Sequence, residues 1–128
     1  MFRRALSLVL TGCLVTTSAG AFVWPSTVER AARDLGSSDV AARRKAAKQL
    51  ASFPRPSVAR LGVPALSDPD PDVRVAALEA LVAARVEGLG ERVVAWLADP
   101  EARVRRAAAE ALVRQPTASA VAPLSRVL

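Results

Sequence analysis

The chain has 128 residues, the length of one domain, and its composition is 52% hydrophobic but only 4% aromatic. It contains no His, which is the commonest general acid–base group and metal ligand, and this weighs against an enzyme. The formal net charge of +6 falls to +4 once Arg3 and Arg4 are set aside, so the charge favours acidic partners only weakly.

The first element is a hydrophobic segment. After a short basic start, residues 5–24 form a run of twenty without a charge. Three interpretations are open: a secretory signal peptide cleaved before Phe22, a membrane anchor with Trp24 at the outer interface, and a lipoprotein signal with Cys13 as the lipidated residue. Each places the rest of the chain outside the cytoplasm. We therefore predict an extracytoplasmic protein that is periplasmic, secreted or anchored facing outward.

A repeat with a period of 31 residues organises the remaining sequence. Segments 35–50, 66–81 and 97–112 align without a gap, and a fourth copy begins at Thr117 and stops at Leu128. Four columns are identical in the three full copies: Leu35/Leu66/Leu97, Arg43/Arg74/Arg105, Ala46/Ala77/Ala108 and Leu50/Leu81/Leu112. Self-similarity of this kind is the signature of stacked repeats.

Each copy is predicted to be a helical hairpin, because apolar residues recur at helical spacing in its second half. The capping box Ser26-Thr27-Val28-Glu29 starts the first hairpin. The first helices are predicted over 27–35, 57–66 and 88–98, and the second helices over 39–52, 71–85 and 101–114. Gly62 and Pro64 make the 57–66 helix the least well defined. Lys45 and Gln49 replace Ala in the first copy, which we interpret as a solvent-facing cap.

The strings LSDPDPDVRVAALEAL and LADPEARVRRAAAEAL resemble HEAT repeats, in particular the short HEAT-like repeats named after phycobilisome lyases. The resemblance covers roughly residues 26–128. It implies an all-α fold, a short α-solenoid of three HEAT-like helical hairpins plus a partial fourth, preceded by the hydrophobic segment. We accordingly assign residues 1–21 to a signal peptide or membrane anchor and residues 22–128 to the HEAT-like repeat domain.

One turn has the spacing of a calcium-binding loop. Asp68, Asp70 and Asp72, followed by Glu79, match its liganding positions, but Val73 occupies the position where such a loop requires Gly. The repeat also places residues 73–79 in a helix. We therefore interpret the aspartates as capping residues of a hairpin turn, and we predict no metal, no cofactor and no catalytic residue.

The column of Arg43, Arg74 and Arg105 has two interpretations. Stacked at the repeat period, the guanidiniums would form a basic stripe for an acidic protein, an anionic surface or a polymer. Alternatively they form a structural ladder with turn carboxylates. The carboxylates available for a ladder are Asp70, Asp72 and Glu101.

Two further features suggest contacts with a partner. Val75 and Leu78 lie opposite the core face of their predicted helix and would form a modest apolar contact surface. Trp96 lies outside the leucine columns, where it fills a gap between first helices or anchors a partner. The candidate partner-binding residues are Arg43, Arg44, Arg74, Arg105, Arg106, Val75 and Leu78.

The predicted function is a non-enzymatic protein-binding scaffold, exported or membrane-tethered, that uses the face of its second helices. The expected partner is another protein, with an anionic surface or polymer as a further candidate and membrane attachment through residues 5–24. One alternative, implied by the resemblance, is an accessory subunit or factor of an enzyme similar to lyase-associated HEAT-like proteins. A second is nucleic-acid or polyanion binding through the Arg stripe, although the scarcity of aromatic residues disfavours nucleic acid.

Overall fold

A computed structural model describes residues 26–121, 123 and 125. Six α-helices form three hairpins over this part of the chain, with no strand among them. The first helices of the hairpins are α1 (Thr27–Leu35), α3 (Arg55–Ala65) and α5 (Leu89–Val93). The second helices are α2 (Val40–Gln49), α4 (Pro71–Ala83) and α6 (Ala102–Arg114). Short 3-10 turns follow α2 (Leu50–Ser52), α5 (Val94–Ala98) and α6 (Ala118–Ala120). The predicted all-α solenoid is confirmed.

Several predictions fall on residues outside the described part. They are the signal peptide or membrane anchor over residues 1–21, the cleavage before Phe22, the lipidation of Cys13 and the last leucine column at Leu128. Among the residues that are described, no helix has the length and apolarity needed to cross a membrane.

Side-chain caps fix where the helices begin. At α1 the Ser26 hydroxyl accepts from the Glu29 N–H at 3.2 Å, and the Glu29 carboxylate accepts from the Ser26 N–H at 2.7 Å. This is the predicted capping box. Asp39 caps α2 through Ala41, at 2.9 Å, and Asp70 caps α4 in the same way. These bonds satisfy N–H groups that a helix end leaves unpaired.

Two of the four repeat columns lie wholly in the core. The Ala column is fully buried, as are the Leu residues at the C-terminal end of each full copy. Small side chains in the Ala column allow α2, α4 and α6 to lie close together, and the closest packing between hairpins is between these second helices. The solenoid therefore has a spine of three adjacent second helices.

Helix α3 is intact through Gly62 and Pro64, although these residues made its sequence signal weak. A Cβ atom at Gly62 would lie 2.9 Å from Leu81 Cγ, so glycine permits the close approach of α3 to α4. Pro64 lies near the C-terminal end of the helix. Close packing against α4 compensates for the low helix propensity of both residues.

The third hairpin begins differently from the other two. Gly88 adopts φ +73° just before α5, which suits a residue without a Cβ atom. Helix α5 then has only five residues before it tightens into a 3-10 turn. The Gln115 side chain donates to the Val86 carbonyl at 2.6 Å and accepts from the Leu89 N–H at 3.3 Å. These bonds tie the α4–α5 turn to the end of α6.

Candidate protein-binding face

The arginine column forms a ladder between successive hairpins. Arg43 donates to both carboxylate oxygens of Asp68, at 2.9 and 3.4 Å, and Arg74 donates to Asp99 at 3.0 Å. Both guanidiniums also donate to backbone carbonyls of their own hairpin turns, at 3.0 to 3.2 Å. Their side chains are only 13% and 17% exposed. Arg43 and Arg74 therefore join the hairpins and offer little surface to a partner.

The carboxylates of this ladder are not the ones expected from the sequence. Asp70, Asp72 and Glu101 were the expected partners, whereas the ladder uses Asp68 and Asp99. Asp68 and Asp99 come first in their turns and lie beside the second helix of the preceding hairpin. Asp70 and Glu101, two residues later, occupy the N-cap positions of the following helices. The expected partners of Arg43 and Arg74 were therefore wrong, because each actual partner precedes the N-cap residue of the next helix by two positions.

Arg44 forms a second link between the first two hairpins. Its guanidinium donates to both carboxylate oxygens of Asp70, at 2.9 and 2.6 Å, and lies 3.4 Å from Asp72. Asp70 also accepts from the Val73 N–H at 3.1 Å. The hydrogen bond from Arg44, aided by that from Val73, lowers the pKa of Asp70 to about 2 from an ordinary 3.8, although burial acts in the opposite direction. Asp70 is therefore ionised at neutral pH.

The arginines of the third copy are more exposed to solvent than Arg43 and Arg74. Arg105 donates to the carbonyl oxygens of Asp99 and Pro100, at 2.8 and 2.9 Å, and no carboxylate pairs with it in the described part of the chain. Arg106 is 82% exposed and pairs with Glu110 at 2.8 Å within its own helix. The five candidate arginines thus differ in environment and do not form a uniform stripe.

The turn with calcium-loop spacing is occupied by internal bonds. Asp68 accepts from the Asp70 N–H at 2.8 Å, and Asp72 pairs with Arg103 as well as with Arg44. Glu79 lies two turns into α4. Over residues 26–121, no group of three acidic, Cys or His residues is placed to hold a metal ion. The geometry is that of a capped hairpin turn.

Of the two residues predicted to form an apolar contact surface, Val75 and Leu78, only Val75 is accessible to solvent. Leu78 is 1% exposed and belongs to the core, so the expectation that it faces solvent is wrong. Helix α4 packs against α2, α3 and α6, and a helix with neighbours on three sides buries more than one face. Val75 is partly exposed and lines a surface groove.

Two open grooves run between the second helices, and we call their combined surface the second-helix face. The α2–α4 groove has a volume of about 310 Å³ and is lined by Arg44, Lys48, Asp72, Val75, Ala76 and Glu79. The α4–α6 groove has a volume of about 190 Å³ and is lined by Leu78, Glu79, Val82, Ala83, Ala107, Glu110, Ala111 and Arg114. Both grooves have small or apolar side chains along the floor and charged side chains at the edges.

Glu79 belongs to both grooves and lies at the centre of the second-helix face. Its carboxylate is exposed and makes no ion pair with any described residue. Spacing alone could have identified this position, because Val75, Glu79 and Val82 follow one another at i, i+4 and i+7 along α4. The only role that the sequence analysis indicates for Glu79 is that of a calcium ligand.

Trp96 fills a gap in the fold. It is partly buried and packs against the core cluster. The Arg74 guanidinium lies 5.8 Å from the centre of its ring, which is within the range of a cation–π interaction. Of the two roles expected for Trp96, the structure supports the one inside the solenoid.

A family model described as HEAT repeats matches residues 28–112 and, in a second match, residues 64–128. Neither the curated proteins nor the solved structures provided a match. The first family match alone covers more than half of the chain. HEAT repeats are generally scaffolds for protein interaction and generally lack catalytic activity.

Proposed function

Because the chain belongs to the HEAT-repeat family, we propose that it is a non-enzymatic module that binds another protein on its second-helix face. The observation that carries this proposal is Glu79. An exposed carboxylate with no ion-pair partner among the described residues lies between two grooves with small or apolar floors. Such a group can pair with a partner's cation while the floor contacts apolar atoms.

The other charges of the face narrow the chemistry of the partner. Asp72 and Glu110 are already paired with arginines, whereas Lys48 and Arg114 have no carboxylate partner within residues 26–121. The unpaired charges that line the two grooves are therefore positive at Lys48, negative at Glu79 and positive at Arg114. A complementary segment would present a central Lys or Arg among apolar residues, with acidic residues towards both ends.

We further propose that the module works outside the cytoplasm, either exported or tethered to a membrane. The support is the sequence of residues 5–24, an uncharged run that follows Arg3 and Arg4. N-terminal mass determination of the mature protein tests this location. A start at Phe22, a lipidated Cys13 or a membrane-bound full chain would support it, and a cytosolic form that retains Met1 would contradict it.

Binding of a nucleic acid or another polyanion through the Arg column has less support. Arg43 and Arg74 direct their donors into bonds between hairpins. Arg105 is exposed, but the first two members of the column cannot join it in a stripe without giving up those bonds.

Affinity capture with the full chain as bait tests the proposed face. The discriminating variant is Glu79→Arg, and the matched control is Glu87→Arg, a charge reversal at an exposed residue of the α4–α5 turn outside both grooves. We expect proteins captured by the wild type to be retained by Glu87→Arg and lost by Glu79→Arg. Retention of the same proteins by both variants would show that the partner binds elsewhere.

A further inference from the structure

The net charge of the described fold is concentrated in one hairpin. Residues 26–53 carry six basic and three acidic residues, a net charge of +3. Residues 54–121 carry nine of each, a net charge of zero. The first hairpin is thus the electrostatically distinct end of the solenoid.

Four cations of this hairpin are not neutralised. Arg30 and Arg33 of α1 and Lys45 and Lys48 of α2 are exposed, and none pairs with a carboxylate among the residues described. The other two basic residues, Arg43 and Arg44, pair with aspartates of the second hairpin.

The acidic residues of the hairpin do little to offset these cations. Glu29 is engaged in the capping box of α1, and Asp39 caps α2. Asp34 lines the same groove as Arg30 and Lys45 and offsets one of their two charges. The local balance at that groove is therefore positive.

The four cations form two pairs, one on α1 and one on α2, and Lys48 also lines the α2–α4 groove. Arg30 and Lys45 line one open groove between α1 and α2. Arg33 and Lys48 follow these residues by three positions on their helices, a spacing that places side chains side by side. We call Arg30, Arg33, Lys45 and Lys48 the basic end.

The position of the basic end in the chain indicates what it meets. The uncharged run ends at Trp24 and α1 begins at Thr27. Three residues span at most roughly 10 Å, which is close to the Debye length of about 8 Å at physiological ionic strength. If the run is held in a bilayer, the start of the hairpin therefore lies within electrostatic reach of the headgroups of that bilayer.

We propose that the basic end binds the anionic phospholipid headgroups of the membrane beside which the protein lies. This assignment rests on the membrane-tethered form of the proposed function, and Lys48 is the one residue that the basic end shares with the second-helix face. Contact at the basic end would orient the solenoid so that its electroneutral part, including α4 and α6, extends away from the bilayer.

Vesicle co-sedimentation of the full chain tests the proposal. The measured quantity is the ratio of partition coefficients for vesicles of phosphatidylcholine with 30% phosphatidylglycerol and for phosphatidylcholine alone. The hydrophobic segment contributes to both coefficients, so the ratio isolates the effect of charge. One variant changes the basic end to Gln at all four positions. The control variant changes Arg60, Arg85, Arg92 and Arg114 to Gln; these are four exposed arginines without ion pairs among residues 54–121.

Both variants lose four positive charges, so a nonspecific effect of net charge would lower both ratios equally. We expect the basic-end variant to lower the ratio by roughly tenfold or more and the control to lower it by less than about twofold. A double variant with only Arg30→Gln and Lys45→Gln should lower the ratio by an intermediate factor. In the wild type, 0.5 M NaCl should bring the ratio close to one.

Three results would overturn the assignment. They are an equal loss in both four-residue variants, no preference of the wild-type chain for anionic vesicles, and a basic-end effect seen with heparin but not with vesicles. The proposed binding function is tested separately, by capture of a protein with the Glu79→Arg variant of the second-helix face. Glu79 does not belong to the basic end, so failure of this assignment and failure of the proposed binding function can be told apart.

Discussion

At the residue scale, arginine serves two purposes in this solenoid. Arg43 and Arg74 donate to carboxylates and carbonyls across a hairpin junction and are largely shielded from solvent. Arg106 and Arg114 are exposed on α6. A planar guanidinium can satisfy several acceptors at once, which explains why the ladder uses Arg at a position where Lys could satisfy fewer of them.

Truncation of Arg74 to Ala should destabilise the fold. It removes the bond to Asp99, two bonds to the preceding turn and the contact with Trp96, so we expect a loss of about 2 kcal/mol in the free energy of unfolding. Arg60→Ala removes an exposed arginine outside the ladder and should change that free energy by less than about 0.5 kcal/mol. Urea denaturation followed by circular dichroism measures both; equal losses would contradict the structural role of the ladder.

The Arg44–Asp70 bond predicts how stability changes with pH. The pKa of Asp70 is about 2 in the fold and 3.8 as its ordinary value, so the unfolded chain binds this proton more readily. The stabilisation is complete above pH 3.8 and is lost as the pH falls towards about 2. Asp70→Asn keeps an N-cap acceptor for α4 but removes the charge.

We therefore expect Asp70→Asn to be less stable than the wild type at pH 7 and the two proteins to converge as the pH approaches 2. Urea unfolding at pH 7, 4 and 2 provides the comparison. A stability difference that is constant over this range would show that the carboxylate charge contributes nothing.

The sequence identified the ladder column but not its partners. Identity of Arg43, Arg74 and Arg105 in three copies marks them as repeated features. Which carboxylate each meets depends on how far one hairpin is shifted along the next, and no single copy contains that information. The shift places Asp68 and Asp99 at Arg43 and Arg74, whereas Asp70, two positions after Asp68, caps α4.

At the element scale, the helices were predictable because each carries its own local signals. The capping box defined the start of α1, and apolar periodicity defined α4 and α6 to within two residues at each end. The burial of Leu78 was not predictable in this way. Leu78 is buried because α6 lies against α4. The pattern of residues along one helix cannot show how many neighbouring helices pack against it.

Two glycines mark close contacts between elements, and Gly90 gives the sharper test. A Cβ atom there would lie 2.7 Å from the Gln115 carbonyl oxygen, a backbone atom that cannot turn aside. We expect Gly90→Ala to lower the free energy of unfolding by about 1 to 3 kcal/mol. At Gly36 the nearest such contact is 3.5 Å, so Gly36→Ala should be nearly neutral. Thermal unfolding of the two variants measures this difference. If Gly90→Ala left the free energy of unfolding unchanged, α5 and the chain after α6 would not be closely packed.

At the scale of the whole molecule, the solenoid separates three properties in space. The alanine column lies inside the spine of second helices, the two grooves lie on the surface of that spine, and the net positive charge lies at the first hairpin. The repeat in the sequence was sufficient to predict the stack. The grooves arise only when neighbouring copies are placed side by side, so their central residue emerged from the structure.

The central claim is that the second-helix face binds a protein, and the affinity of a captured partner for Glu79 variants tests it most directly. With the full chain and a purified partner, Glu79→Arg should raise the dissociation constant by at least tenfold, equivalent to about 1.4 kcal/mol, and Glu87→Arg should change it by less than about twofold. Equal dissociation constants for the two variants would contradict the claim.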